Sequence, residues 1–166
     1  MATWNPEWKK DVVYLHVRPR QFAKHIPNLS PFAMKMETWF RINNIKHEVI
    51  DYFGVSSKGQ SPFIMINEKE IPDSNFGIDY ISDHFGIDPY PGLSKSEKGV
   101  ARAFLKMIEE NLAWTIFWYR YFSERAHSQG IGRHSNEEIY KIGCDDIRAI
   151  SDYLEDKKSI VPYLEC

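Results

Sequence analysis

The sequence predicts an α/β unit followed by an all-helical one. Three observations carry this. Up to Phe85, short β-branched or alternating stretches are interleaved with helical periodicity. A Pro- and Gly-rich stretch, GIDPYPGL at 86–93, then breaks the pattern. Beyond it the periodicity is helical and is opened twice by capping boxes, Ser94 with Glu97 and Ser135 with Glu138. The domains expected are therefore 11–86, a linker at 87–93, and 94–158.

The elements follow in order. Residues 12–16, VVYLH, are β-branched and aromatic and predict a buried strand. Residues 18–27 form a polar loop. Ser30 before Pro31 before an apolar run predicts a helix start, with Ser30 as N-cap and Pro31 at the first helical position. Phe32, Met36, Trp39 and Phe40 continue at helical spacing, and Asn43-Asn44 stop the helix. Residues 45–52 alternate and predict a second strand. A Gly/Ser loop at 54–60 leads to a hairpin that starts at Ser61-Pro62, turns at Asn67-Glu68 and ends at Asp73-Ser74. A helix with Ile78, Ile81 and Phe85 on one side follows at 74–85. Past the linker, one long helix is expected from 94 to about Tyr121, with Val100, Phe104, Met107, Ile108 and Leu112 facing a core. Its later part, AWTIFWYRYF, is apolar nearly all round and calls for cover on several sides. SQGIGR at 128–133 breaks it, and a last helix carries Ile139, Ile142, Ile147, Ile150 and Leu154 to near Asp156.

Composition excludes several classes. The 166 residues suit one ordinary domain or two small ones, and 43% hydrophobic and 14% aromatic content suit a packed globule. A net charge of −2 without a basic run argues against a nucleic-acid partner. Cys144 and Cys166 form no CxxC pair, which argues against a disulfide framework or thiolate zinc site and suits a reducing, cytoplasmic setting. The start, MATWNPEWKKD, lacks the apolar core of a signal peptide, and no stretch reaches the ~20 apolar residues of a membrane span. The six histidines show no metal-ligand spacing, and the adjacent pairs Asp145-Asp146 and Glu109-Glu110 point to different helix faces, so no metal site is expected.

The chemistry-bearing stretch is KGQSPFIMINEKEIPDSN at 58–75. A Pro opening a strand donates no ladder hydrogen bond. A cis Ser61-Pro62 bond would turn the Ser61 N–H and C=O away from the strand, and X-Pro bonds adopt cis at a cost of roughly 0.5–1 kcal/mol. Asp73-Ser74 offers an acceptor, a hydroxyl and the free N–H groups of a helix start, a combination suited to a small molecule carrying carboxylates. The same residues equally suit a plain hairpin with an ordinary Ser N-cap.

DVVYLHVRPR, PNLSPFAMKMETWFRINNIKHEVIDY, SSKGQSPFIMIN, EIPDSN and GIGRHSNEEIYKIGCDDIRAISDYLEDKK together resemble the failed axon connections family. That family is glutathione S-transferase-like and related to metaxin-like and cadmium-responsive proteins. The resemblance covers 11–158 and implies a thioredoxin-like N-terminal domain followed by a truncated glutathione-transferase-type helical domain. It implies glutathione as ligand or substrate, with the Ser61 and Pro62 backbone at its cysteinyl part, Asp73 and Ser74 at its γ-glutamyl end, and Lys58 within reach of a carboxylate. Ser30 stands where omega-type relatives carry a reactive Cys. A Ser here has no adjacent general base, so thiol-transfer chemistry is disfavoured. Its hydroxyl would instead donate to the glutathione thiolate, the catalytic reading, or serve only as an N-cap. Tyr14 is an alternative hydroxyl, better read as core. The aromatic cluster Trp114, Phe117, Trp118, Tyr119, Tyr121 and Phe122 corresponds to the pocket-lining and dimer helix of transferases, or is core packing.

Departures from the family pattern carry their own expectation. Members have a longer segment before GIGRHS and continue beyond DKK into a helix opened by a Thr-x-x-Asp type motif, whereas here the chain reads KKSIVPYLEC. The resemblance thus implies a shortened form with exposed apolar helical surface, self-associating as a homodimer or binding a protein partner. The alternative to a weakly conjugating transferase is a non-catalytic interaction module in axon development or membrane-protein assembly, or a truncated isoform with no activity of its own.

Overall fold

The computed structural model describes residues 5, 7–19, 27–121 and 131–154. They fall into two compact units, Met1–Pro89 and Tyr90–Cys166.

The first unit is a four-stranded sheet of order β2-β1-β3-β4, with two helices among its described residues. β1 (Val13–Val17) pairs in parallel with β2 (His47–Asp51), and α1 (Pro31–Ile42) connects them. β3 (Phe63–Ile66) runs antiparallel to β1, and β4 (Lys69–Pro72) antiparallel to β3. α2 (Ser74–Phe85) follows. α1 begins where the sequence places it: the Ser30 hydroxyl accepts from the Ala33 N–H and Pro31 occupies the first turn. It ends at Asn43, with Asn44 at φ +54°. The hairpin turns at Asn67-Glu68, both at positive φ, the mirror-image turn that matches strand twist.

Alternation along β1 divides the core. Val13, Leu15 and Val17 join Ile64, Ile66 and Ile81 with Ala33, Met36 and Phe40 of α1. Tyr14, Phe63 and Met65 face the other side, where Trp8, Ile50 and Tyr52 half-cover them. Both faces of β1 are thus buried, as its unbroken apolar run predicts.

In the second unit the expected single helix is three pieces: α3 (Lys95–Met107), a π-helical turn (Ile108–Leu112) and α4 (Ala113–Tyr121). The wider turn shifts the register of everything after it. Asn111 reaches Asp146 at 2.9 Å, and Thr115 and Trp118 become buried. The predicted stripe Val100, Phe104, Met107, Ile108 and Leu112 is half-buried; Ala101 is the buried residue of α3. A 3-10 turn (Ile131–Arg133) precedes α5 (Asn136–Leu154). Trp118, Ile131 and Ile139 form this unit's core, edged by Trp114 and Ile142. Both capping boxes form: Ser94 exchanges bonds with Glu97, and Ser135 with Glu138. The expectations for Phe122, for the start of SQGIGR and for KKSIVPYLEC fall outside the described residues, as do the side chains of Tyr119 and Tyr121.

Candidate functional site

Strand register gathers residues that are far apart in sequence. His16 faces Phe63 across β1 and β3, and Phe63 faces Pro72 across β3 and β4. The C-terminal end of β1, the start of β3 and the end of β4 therefore share one edge of the sheet. Ser61-Pro62 and Asp73-Ser74 flank that edge directly. α1 returns the chain to the opposite end, where the Val13 N–H meets the Lys46 carbonyl, so the Ser30 end of α1 lies on the same side as the other two. A direct bond ties the two helix starts together: Lys35 Nζ donates to Asn75 Oδ1 at 2.8 Å.

The Ser61-Pro62 peptide is cis, and both residues lie outside the ladder, which starts at Phe63. Asp73, not Ser74, is the N-cap of α2: its Oδ1 accepts from the N–H groups of Asn75 at 2.8 Å and Phe76 at 3.3 Å. This corrects the ordinary Ser-cap alternative. Capping by Asp73 holds its backbone at φ +70°, ψ 139°, a sparsely populated conformation for an L-residue and one that costs on the order of 1–3 kcal/mol. Ser74 becomes the first helical residue, only 5% exposed. Neither its N–H nor its hydroxyl has a partner among the described residues. No fully buried side-chain polar atom lacks a partner there, so the Ser74 hydroxyl oxygen opens onto solvent.

Ser30 is half-buried and held from both sides. Its N–H donates to Asn28 Oδ1 at 2.8 Å, and its Oγ accepts from the Ala33 N–H at 3.3 Å. Buried Asn28 also donates to the Arg18 carbonyl. Capping uses the oxygen's lone pair and leaves the hydroxyl proton to donate elsewhere, so the cap and donor readings are compatible. Lys58 is exposed on the 56–59 turn and contacts none of the other candidates among the described residues. Tyr14 is buried on the other side of the sheet from α1. Its hydroxyl accepts from the Lys9 N–H at 2.8 Å, and its ring stacks on Trp8 at 4.2 Å. Beside it, His16 is buried against Phe63, at 4.5 Å between ring centres, and desolvation pushes its pKa down.

Sequence reasoning missed Asn28, Lys35 and His16. Asn28 had a signal: Asn two residues before a capping Ser suits an Asx turn. Lys35 had a fainter one, because helical side chains lean toward the N-terminus and so toward Ser30. A cleft of about 820 Å³ lies at the other end of the sheet, between Lys10, Asn44, Lys46 and Ile87, and shares no residue with this site. Among the described residues no group of three or more His, Cys, Asp or Glu could hold a metal ion, and no helix is long and apolar enough to cross a membrane.

Residues 31–126 match the family model for the glutathione S-transferase N-terminal domain. Among curated proteins, Failed axon connections of Drosophila melanogaster is 30% identical, over 90% of this chain and 46% of its own length. Isoprene-epoxide–glutathione S-transferase of Rhodococcus sp. (strain AD45) is 27% identical, over 82% of this chain and 74% of that one. The chain thus spans about half the length of Failed axon connections. Among solved structures, a possible glutathione S-transferase from Rhodopseudomonas palustris superposes with a TM-score of 0.61 at 13% identity, covering 89% of this chain and 74% of that chain, a likeness of fold. With its thioredoxin-like sheet, its helical second part and a family match over more than half its length, the chain belongs to the glutathione S-transferase N-terminal domain family and is a relative of Failed axon connections.

Proposed function

We propose that the first unit binds glutathione at the sheet edge between Ser30, Ser61-Pro62 and Asp73-Ser74. One observation carries the reading: Ser74 is nearly buried, yet among the described residues its N–H and hydroxyl have no partner and its oxygen opens onto solvent. Donors left at a helix start suit a carboxylate. The Ser61 backbone, outside the ladder, supplies the pairing edge for the cysteinyl part. The free oxygen of Asp73 receives the γ-glutamyl ammonium. Lys58 is a peripheral cation for the glycyl carboxylate.

Ser30 is the candidate catalytic group. Its proton, unused by the cap, donates to the glutathione sulfur and favours the thiolate. The thiolate then attacks an electrophilic carbon, the new C–S bond forms, and the displaced group leaves with the electron pair. No base adjoins Ser30 among the described residues, so this activity is weak. The printed name of the Rhodococcus relative, an epoxide–glutathione transferase, supports an electrophile-conjugating class. The reading places the protein in the cytoplasm, where glutathione buffers thiols.

The second reading is a non-catalytic module that keeps the pocket and acts through protein contacts in axon development or membrane-protein assembly. The hydroxyl in place of a thiol at residue 30 and the name of the Drosophila relative favour it. Titration calorimetry with glutathione tests the first reading. Binding that falls at least tenfold in Ser74→Ala supports the pocket, and no heat from folded protein at millimolar glutathione overturns it. Conjugation assays on Ser30→Ala then separate enzyme from module.

A further inference from the structure

The cleft at the other end of the sheet measures about 820 Å³, within the roughly 300–1,000 Å³ of small-molecule sites. Three chain segments wall it, and each is held by its own bonds. In the lead-in to β1, the Lys9 N–H donates to the Tyr14 hydroxyl at 2.8 Å. Asp11 and Asn67 pair reciprocally: the Asp11 N–H donates to Asn67 Oδ1 at 2.9 Å, and Asn67 Nδ2 donates to Asp11 Oδ1 at 2.7 Å. Between α1 and β2, the N–H groups of Asn44 and Ile45 donate to the Arg41 and Phe40 carbonyls. After α2, Gly86 takes the left-handed conformation and the Ile87 N–H donates to the Ser82 carbonyl at 2.8 Å. These bonds occupy carbonyls at both helix ends that would otherwise oppose an anion.

The lining divides by chemistry. Val12, Ile45, Phe85 and Ile87 give it apolar surface, and three lysines, Lys9, Lys10 and Lys46, give it positive charge. Of its two carboxylates, Asp11 already accepts from Asn67 and from His84 Nε2 at 2.8 Å, which leaves Glu48. The ammonium groups of Lys9 and Lys46 have no partner among the described residues. They come from neighbouring strands: Lys9 leads into β1, and Lys46 precedes His47, the partner of Val13.

We propose that this cleft is a second ligand site, which takes a soluble phosphate monoester carried on a compact apolar body. The body packs on Phe85 and Ile87, and the phosphate lies between Lys9 and Lys46. A phosphate, with close to two charges and three acceptor oxygens, engages two ammonium groups from separate segments. A carboxylate, with one charge, leaves one of them unpaired. The site shares no residue with the glutathione edge and does not depend on that reading.

The test is a titration of the full chain with 1-naphthyl phosphate, read by fluorescence and by backbone amide NMR shifts, with 1-naphthol and 1-naphthoate as comparators. Saturable binding is expected, with shifts centred on residues 9–12, 43–48 and 85–87. Naphthol and naphthoate should bind roughly tenfold more weakly or worse. Combining Lys9→Met with Lys46→Met should erase the advantage of the phosphate over naphthol, and Lys46→Arg alone should keep it. Both lysines are exposed, so the thermal melt should not move. Added salt should weaken binding of the phosphate and leave naphthol unchanged. No binding at millimolar naphthyl phosphate overturns the proposal. So do shifts centred on Ser61 and Ser74 or on the second unit, naphthoate binding as tightly as the phosphate, or a double variant that keeps the preference. Cosedimentation with phosphatidic acid vesicles, without binding of the soluble ester, overturns it in favour of a lipid surface.

Discussion

The two units build their cores differently. In the first, a sheet buries both faces: Leu15, Met36, Phe40, Phe63, Ile64 and Ile81 have no exposed surface. In the second, Ile139 alone reaches that state among the described residues. A strand with neighbours on both edges and cover on both faces is fixed in four directions. A helix in a thin layer is fixed along one stripe. The candidate site gathers at one end of that sheet, at the starts of β3, α1 and α2 and the end of β4, where packed elements hold residues within the tolerance that ligand recognition needs.

The largest test compares core deletions. Phe40→Ala should cost about 3–5 kcal/mol of stability. Ile139→Ala should cost about 2 kcal/mol, at the low end of its class, because half-buried Trp114 and Ile142 can relax into the gap. Urea titration followed by circular dichroism measures both, and equal costs would break the contrast.

A matched pair of glycine substitutions sharpens it. At Gly143 on α5 an added Cβ would stand 3.1 Å from Thr115 Oγ1, which is buried and bonded to the Leu112 carbonyl at 2.7 Å. That neighbour cannot swing away, so Gly143→Ala is expected to cost about 1 kcal/mol after its gain in helix propensity. At Gly77 the obstacle is the flexible end of Met36, and Gly77→Ala should be close to neutral. Thermal melts of both variants decide this. The thin unit thus contains one tight point, where the π-helical turn delivers Thr115 against α5.

Acid should act on the first unit through His16. Burial lowers its pKa below the usual value of 6.5, against smaller opposing effects of the Tyr14 carbonyl and Glu70. The folded state therefore binds fewer protons than the unfolded one just below that pH. The contribution is fully present above about pH 6.5 and is lost as pH falls through the window below it. His16→Phe should flatten the fall in urea midpoint as the pH drops below about 6.5, and an unchanged slope would remove His16 as the cause. The smallest effect concerns the hairpin. Glu68 sits at φ +65°, so Glu68→Gly should gain about 0.5 kcal/mol, the relief of strain exceeding the entropy cost of glycine.

The contrast also governs what the sequence made legible. Ser30, Ser94 and Ser135 are readable as caps because each acts within four residues of itself, and Asn67-Glu68 as a turn for the same reason. The π-helical turn at Ile108–Leu112 left no such mark. It depends on what α5 presents to Asn111 and Thr115, and periodicity alone extends an α-helix straight through it. At the site, the acidic-Ser pair was visible as a pair. Asp73 taking the cap and leaving Ser74 open was not, because Asp and Ser cap almost equally well and the backbone turn out of β4 decides between them.

From the sequence alone came the order of elements, the expectation of a linker at 87–93, the helix starts and the residue types a small anionic ligand would need. These follow from local periodicity and from bonds between near neighbours. Tertiary structure decided which isomer Ser61-Pro62 adopts, that Ser30, Ser61 and Ser74 share one end of the sheet, and that Lys35 of α1 reaches Asn75 of α2. Those outcomes depend on strand register and helix packing between segments tens of residues apart, and no local pattern encodes them.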